Sequence, residues 1–194
     1  MIKIIYRPIK RTYPSFRLLS RTFVKNNEMA TITLKGHPIT TSGELPSVGD
    51  QAKNFTLAAL DLSMKSLTDF SGINVILNIF PSIDTGTCAA SVRNFNKSAA
   101  DLDNTKVLCI SRDLPFAQNR FCGAEGIENV IMLSDFNTGQ FGKDYGLEIN
   151  VGPMNGLHSR CIVVINPEGK VIYTEQVAET IDEPNYESAL ASLS

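Results

Sequence analysis

The stretch Asn74-Val-Ile-Leu-Asn-Ile-Phe-Pro81-Ser-Ile-Asp-Thr85-Gly-Thr87-Cys88 decides how this chain folds. Its first seven residues are mostly apolar and β-branched, the composition of a strand covered on both faces. Pro81 cannot donate to a strand ladder and stops it. A helical pattern then begins: Cys88, Val92, Phe95, Ala99 and Leu102 recur at spacings of three and four and predict a helix over 88–103. In open α/β sheets, the carboxyl end of a strand where it hands over to a helix is where ligands bind. A cysteine in the first helical turn faces unpaired backbone N–H groups and the positive end of the helix dipole. Both favour thiolate over thiol, so Cys88 is expected to have a lowered pKa and raised reactivity. The plainer alternative, a small buried hydrophobe, is outweighed because strand, proline, loop and helix start all agree. Thr85 is placed either to cap the helix or to hydrogen-bond something at the sulfur, and local spacing favours the cap.

Working outward, residues 31–40 alternate around Lys35-Gly36 and predict a small hairpin. Residues 41–50 read as loop, 54–60 as a short strand and 67–72 as a turn. Downstream, 106–111 is a second apolar strand and 115–124 a short helix with Pro115 in its first turn and Gly123 and Gly126 near its end. Residues 130–133 form a third strand. The runs 161–165 and 171–175 flank Asn-Pro-Glu-Gly-Lys and predict a hairpin, and 183–193 a closing helix. The order β-α-β-α-β-β-α after an N-terminal hairpin implies an α/β fold with a mixed sheet covered by helices.

The other cysteines are Cys109, Cys122 and Cys161, with no C-x-x-C pair, and the histidines are His37 and His158. Structural zinc sites draw ligands in close pairs, so no metal is expected. A thioredoxin-like dithiol oxidoreductase is disfavoured for the same lack of a close pair. Cys109 and Cys161 sit in apolar strand runs and read as packing. Cys122 lies on a polar helical segment, and spacing leaves it open between a resolving thiol and an inert one. Arg160 could supply a fixed charge near a thiolate, although a solvated surface position is the commoner fate of an arginine.

With 194 residues, 43% of them hydrophobic, the chain is long enough for one domain with a substantial core. Residues 1–28 carry seven basic residues against Glu28, while 29–194 carry 11 basic and 19 acidic ones. A body so acidic is a poor candidate for nucleic-acid binding, and no apolar run reaches membrane-spanning length. The basic stretch 1–28 is similar in composition to a mitochondrial transit peptide; a disordered tail or residues upstream of a start at Met29 are the alternatives. The fold is therefore assigned to 29–194.

These residues carry a resemblance. Pro81, Thr85 and Cys88 fit the Pro-x-x-x-Thr-x-x-Cys signature of the peroxiredoxins. Leu114-Pro-Phe-Ala-Gln-Asn-Arg-Phe-Cys122-Gly-Ala-Glu-Gly126 resembles the resolving-cysteine helix of the bacterial thiol peroxidases, an atypical two-cysteine branch of that family. The resemblance runs from Met29 to the C-terminus. It implies a thioredoxin-like fold with an added N-terminal β-hairpin, homodimeric and bacterial-type cytoplasmic, or mitochondrial if 1–28 is a transit peptide. It implies reduction of hydrogen peroxide and alkyl hydroperoxides by Cys88, resolution by Cys122 through a Cys88–Cys122 disulfide, and recycling by thioredoxin without any cofactor. By the same resemblance Thr85 hydrogen-bonds the peroxide, Arg160 stabilises the thiolate and departing oxygen, and Pro81 shields the pocket. Two residues depart from the family pattern: Thr87 stands in the pocket where an apolar residue is usual, and Cys161 is an extra thiol beside Arg160. A one-cysteine peroxidase and a non-catalytic module of the same fold remain as rivals.

Overall fold

A computed structural model of the chain describes residues 29–193. The basic stretch 1–28 and the readings attached to it lie outside the described residues. The first element is the hairpin β1 (Thr31–Leu34) and β2 (His37–Thr40), paired antiparallel with Thr31 opposite Thr40. Its two-residue turn places Lys35 at φ 53 and Gly36 at φ 78. Two successive positive φ values match the right-handed twist of the flanking strands, which is why Gly follows Lys there.

Seven further strands form one sheet: β3 (Thr56–Ala59), β4 (Met64–Ser66), β5 (Asn74–Ile79), β6 (Thr105–Ser111), β7 (Ile131–Ser134), β8 (Cys161–Ile165) and β9 (Val171–Gln176). Their order is β4-β3-β7-β6-β5-β8-β9. β5, β6 and β7 run parallel, whereas β8 is antiparallel to β5 with Ile79 opposite Cys161. The sheet is thus mixed, as the sequence pattern implied. Among the described residues four α-helices accompany it: α1 (Gly86–Ala99), α2 (Pro115–Glu125), α3 (Gln140–Asp144) and α4 (Tyr186–Ala191).

Side chains of the central strands alternate between two apolar layers. Val75, Leu77 and Ile79 of β5, with Cys161, Val163 and Ile165 of β8, pack with Phe141 and Tyr145 on one face. Ile76 of β5, Cys109 of β6 and Ile162 of β8 pack with Cys88, Val92 and Phe95 of α1 and Cys122 of α2 on the other. This period of two in strands buried on both faces explains why they read as continuous apolar runs. Two elements escaped the sequence pattern: β4 has only three residues and α3 only five, too short to set up a period. The closing helix is shorter than 183–193, because Asn185 caps it by accepting from the Ser188 N–H at 2.9 Å.

Candidate active site

The end of β5 and the start of α1 meet in a loop held from beneath by one carboxylate. Asp113 accepts the Ser82 hydroxyl at 2.7 Å, the Ile83 backbone N–H at 2.7 Å and the Ser111 hydroxyl at 2.7 Å. These bonds fix residues 82–85 against the carboxyl end of β6. Asp113 was missed in the sequence reading; its only signal was a lone acid in Ser-Arg-Asp-Leu-Pro just past an apolar strand.

Thr85 occupies the residue preceding α1 in an extended conformation, but its side chain caps no backbone N–H. Its hydroxyl lies 2.8 Å from Cys88 Sγ and 3.0 Å from the Ser82 carbonyl. The cap that local spacing favoured is therefore replaced by the alternative, a contact with the sulfur. A hydroxyl has one proton, so it can donate to the sulfur or to the carbonyl, and can accept from a thiol S–H.

Cys88 is fully buried. Arg160 Nη2 approaches its sulfur to 3.3 Å and Nε donates to the Thr180 carbonyl at 3.1 Å. Arg160 is 2% exposed, not a solvated surface residue. It arrives there because β8 is antiparallel to β5, so the start of β8 meets the end of β5. Its remaining Nη1 is buried without a protein partner. A buried donor left without an acceptor is costly unless something meets it. The guanidinium and the hydroxyl thus stand where an oxygen bound beside the sulfur would meet them.

A pocket of about 290 Å³ adjoins these groups, lined by Pro81, Thr85, Thr87 and Arg160 among others. Leu34 of the hairpin, Met154 and Ile181 also line it. Five of the residues singled out in the sequence thus come together: Pro81, Thr85, Thr87, Cys88 and Arg160. Cys122 does not join them directly. It sits on α2, 8% exposed, within the same apolar layer as Cys88, and all four cysteines are free thiols. The bidentate pair from Arg93 to Glu125, both contacts 2.9 Å, links the two cysteine-bearing helices.

Burial pushes the Cys122 thiol up, raises Cys109 to about 12 and pushes Cys161 higher still. Cys109 and Cys161 are therefore packing residues, as their strand positions implied. Among the described residues, no cluster of three or more His, Cys, Asp or Glu side chains could hold a metal ion, and no helix is long and apolar enough to cross a membrane. His158 is spent on a buried contact of 3.1 Å with Asp135.

Comparisons with known proteins bear on the family and the fold. The family model described as Redoxin matches residues 47–190. A protein of Mycobacterium tuberculosis named "Thiol peroxidase" is 58% identical over 165 residues, which cover 85% of this chain and 99% of that relative. A crystal structure of a peroxiredoxin-like protein from Aquifex aeolicus is similar at 36% identity with a TM-score of 0.81, covering 85% of this chain and 96% of that one. A thiol peroxidase from Chromobacterium violaceum shares the fold at 22% identity, with a TM-score of 0.78 and coverage of 84% and 95%.

Proposed function

Because the chain belongs to the redoxin family and, within it, to the thiol peroxidases, we propose that Cys88 is the sulfur that takes oxygen from a hydroperoxide and that Cys122 resolves it. The enzyme is a peroxide-reducing oxidoreductase. The observation that carries the residue assignment is the convergence of Arg160 Nη2 and the Thr85 hydroxyl on Cys88 Sγ, at 3.3 and 2.8 Å, beside a pocket.

In the first step the Cys88 thiolate attacks the terminal oxygen of R–O–O–H. The S–O bond forms as the O–O bond breaks, and the departing RO⁻ takes up a proton to leave as ROH. Cys88 becomes a sulfenic acid. Arg160 and Thr85 hold the peroxide in line and stabilise the charge that develops on the leaving oxygen. Pro81 walls off the site from above. In the second step the Cys122 thiol condenses with the sulfenic acid, releasing water and forming the Cys88–Cys122 disulfide. A thioredoxin-type dithiol then reopens it by exchange, ending as a disulfide itself. The sulfur carries both electrons, so no cofactor enters the scheme.

Both thiols are held in their own helices and no S–S bond joins them. In the proposed cycle a bond near 2.05 Å then joins α1 to α2, and both helix ends, at Cys88 and around Cys122, partly unwind to form it. A homodimer of one redoxin unit spanning 29–194, acting in a bacterial-type cytoplasm, completes the proposal.

The test is to treat the reduced protein with cumene hydroperoxide and map its cysteines by mass spectrometry. A Cys88–Cys122 link is the expected product. Sulfenic Cys88 without a link would favour a one-cysteine enzyme, and an unmodified Cys88 would remove the assignment.

A further inference from the structure

We propose that Thr87 latches the first turn of α1 and so sets how long oxidised Cys88 remains in its pocket before meeting Cys122. The inference rests on the two-cysteine reading above and adds a positioning residue to it. The Thr87 hydroxyl donates to the Ile181 carbonyl at 2.9 Å, across 94 positions of chain. Ile181 is the last of three successive residues whose bonds reach other parts of the chain. The Glu179 carboxylate accepts the Lys35 and Gly36 N–H groups, both at 2.9 Å, and the Thr33 hydroxyl at 2.8 Å. The Thr180 carbonyl accepts Arg160 Nε at 3.1 Å, and its N–H donates to the Thr33 carbonyl at 2.8 Å. Thr87 is therefore tied to an anchored segment. Two turns farther along the same helix, Asn94 Nδ2 donates to Glu183 at 3.0 Å. The stretch 181–183 is thus stitched to α1 at two points.

Apart from the buried Cys88 side chain, the first turn of α1 lacks the usual end restraints. Gly86 begins it, the preceding Thr85 caps no backbone N–H, and no acidic residue stands in the turn to meet the dipole. Its first internal bond runs from Ala89 N–H to the Thr85 carbonyl at 3.0 Å. The Thr87 bond adds a tie to a separate, anchored segment beside the contacts that seat the Cys88 side chain. That bond must break when Cys88 swings out.

The chemistry turns on a competition at the sulfenic acid. Condensation with Cys122 releases water and gives the disulfide. Attack on a second hydroperoxide gives the sulfinic acid and one further ROH, which thiols do not reverse. A latched first turn lengthens the wait and gives the second path its chance.

Two variants test the latch: Thr87→Val removes the hydroxyl and keeps the shape, whereas Thr87→Ser keeps the hydroxyl. In the reduced protein, amide exchange at Ala89 and Ala90 is expected to rise about 2- to 10-fold in Thr87→Val, the worth of one hydrogen bond. At a fixed excess of cumene hydroperoxide, the sulfinic fraction of Cys88 is expected to fall by a similar factor, with Thr87→Ser near wild type in both. Unchanged exchange in Thr87→Val, or Thr87→Ser behaving like Thr87→Val, would overturn the latch. So would faster exchange with an unchanged sulfinic fraction in a protein that does form the link. If the wild type forms no Cys88–Cys122 link, it is the resolving assignment that fails, while the exchange readout still decides whether Thr87 restrains the turn.

Discussion

At the scale of single residues, Arg160 is the buried charge that lies against the candidate sulfur. Its guanidinium is buried, fixed by the Thr180 carbonyl and aimed at Cys88 Sγ. A planar fork can hold a carbonyl and a sulfur together and still keep a free N–H, which a lysine ammonium cannot do in the same geometry. Arg160→Met is expected to lower kcat/KM for hydroperoxides by about 10²- to 10³-fold, the cost typical of losing a preorganised donor; a loss under threefold would show that the charge does not matter. The bystander thiols give a second expectation. With Cys109 raised to about 12 and Cys161 pushed up by burial, both stay protonated at pH 8. Iodoacetamide at that pH should leave them unlabelled in the folded protein and label them after denaturation, as read by mass spectrometry. Prompt labelling of either in the native state would contradict their burial. Cys88 was readable from its local surroundings because strand, proline and helix start lie within fifteen residues. The roles of Thr85 and Arg160 were not, since which acceptor a hydroxyl chooses and where a distant arginine arrives depend on tertiary placement.

At the scale of elements, Glu179 ties the turn of hairpin β1–β2 to the body, beside backbone bonds from Thr33 and Thr40. The Gly36 N–H, then the Lys35 N–H and Thr33 hydroxyl, hold this carboxyl down at about 2, against an ordinary 4.5. A depressed acid contributes stability above its unfolded pKa and loses it as pH falls through the folded one. The hairpin's attachment should therefore be intact at neutral pH and weaken between about pH 4.5 and pH 2. Amide exchange at Lys35 and Gly36, corrected for intrinsic pH dependence, should lose protection in that window, and Glu179→Ala should remove the protection already at pH 7. Protection that persisted in Glu179→Ala would mean that the Ile32, Ile39 and Ile149 cluster alone seats the hairpin. The sequence announced the hairpin through its Lys-Gly turn and alternation, but an acid 143 positions beyond Gly36 gives no local sign of what it will bind. The same reasoning covers β4 and α3, whose few residues take their conformation from neighbours and not from a period of their own.

At the scale of the whole molecule, the sheet divides the chain into two apolar layers, with Cys88, Cys109 and Cys122 on one side and Cys161 on the other. Oxidation should act within the first of these. Comparing reduced and peroxide-treated protein by hydrogen exchange, loss of protection is expected in the first turn of α1 and around Cys122, with the central strands β5, β6 and β8 unchanged. A change spread evenly over the sheet would mean that disulfide closure costs the fold far more than a local unwinding. The antiparallel run of β8 has one more consequence. Cys88 waits 72 positions of chain for Arg160 and 92 for Thr180. During synthesis that gap corresponds to roughly 4–20 s at ribosomal speeds. A half-made polypeptide leaving the ribosome thus carries Cys88 without the guanidinium that later lies against its sulfur. The contact between guanidinium and sulfur therefore forms only once β8 has docked beside β5.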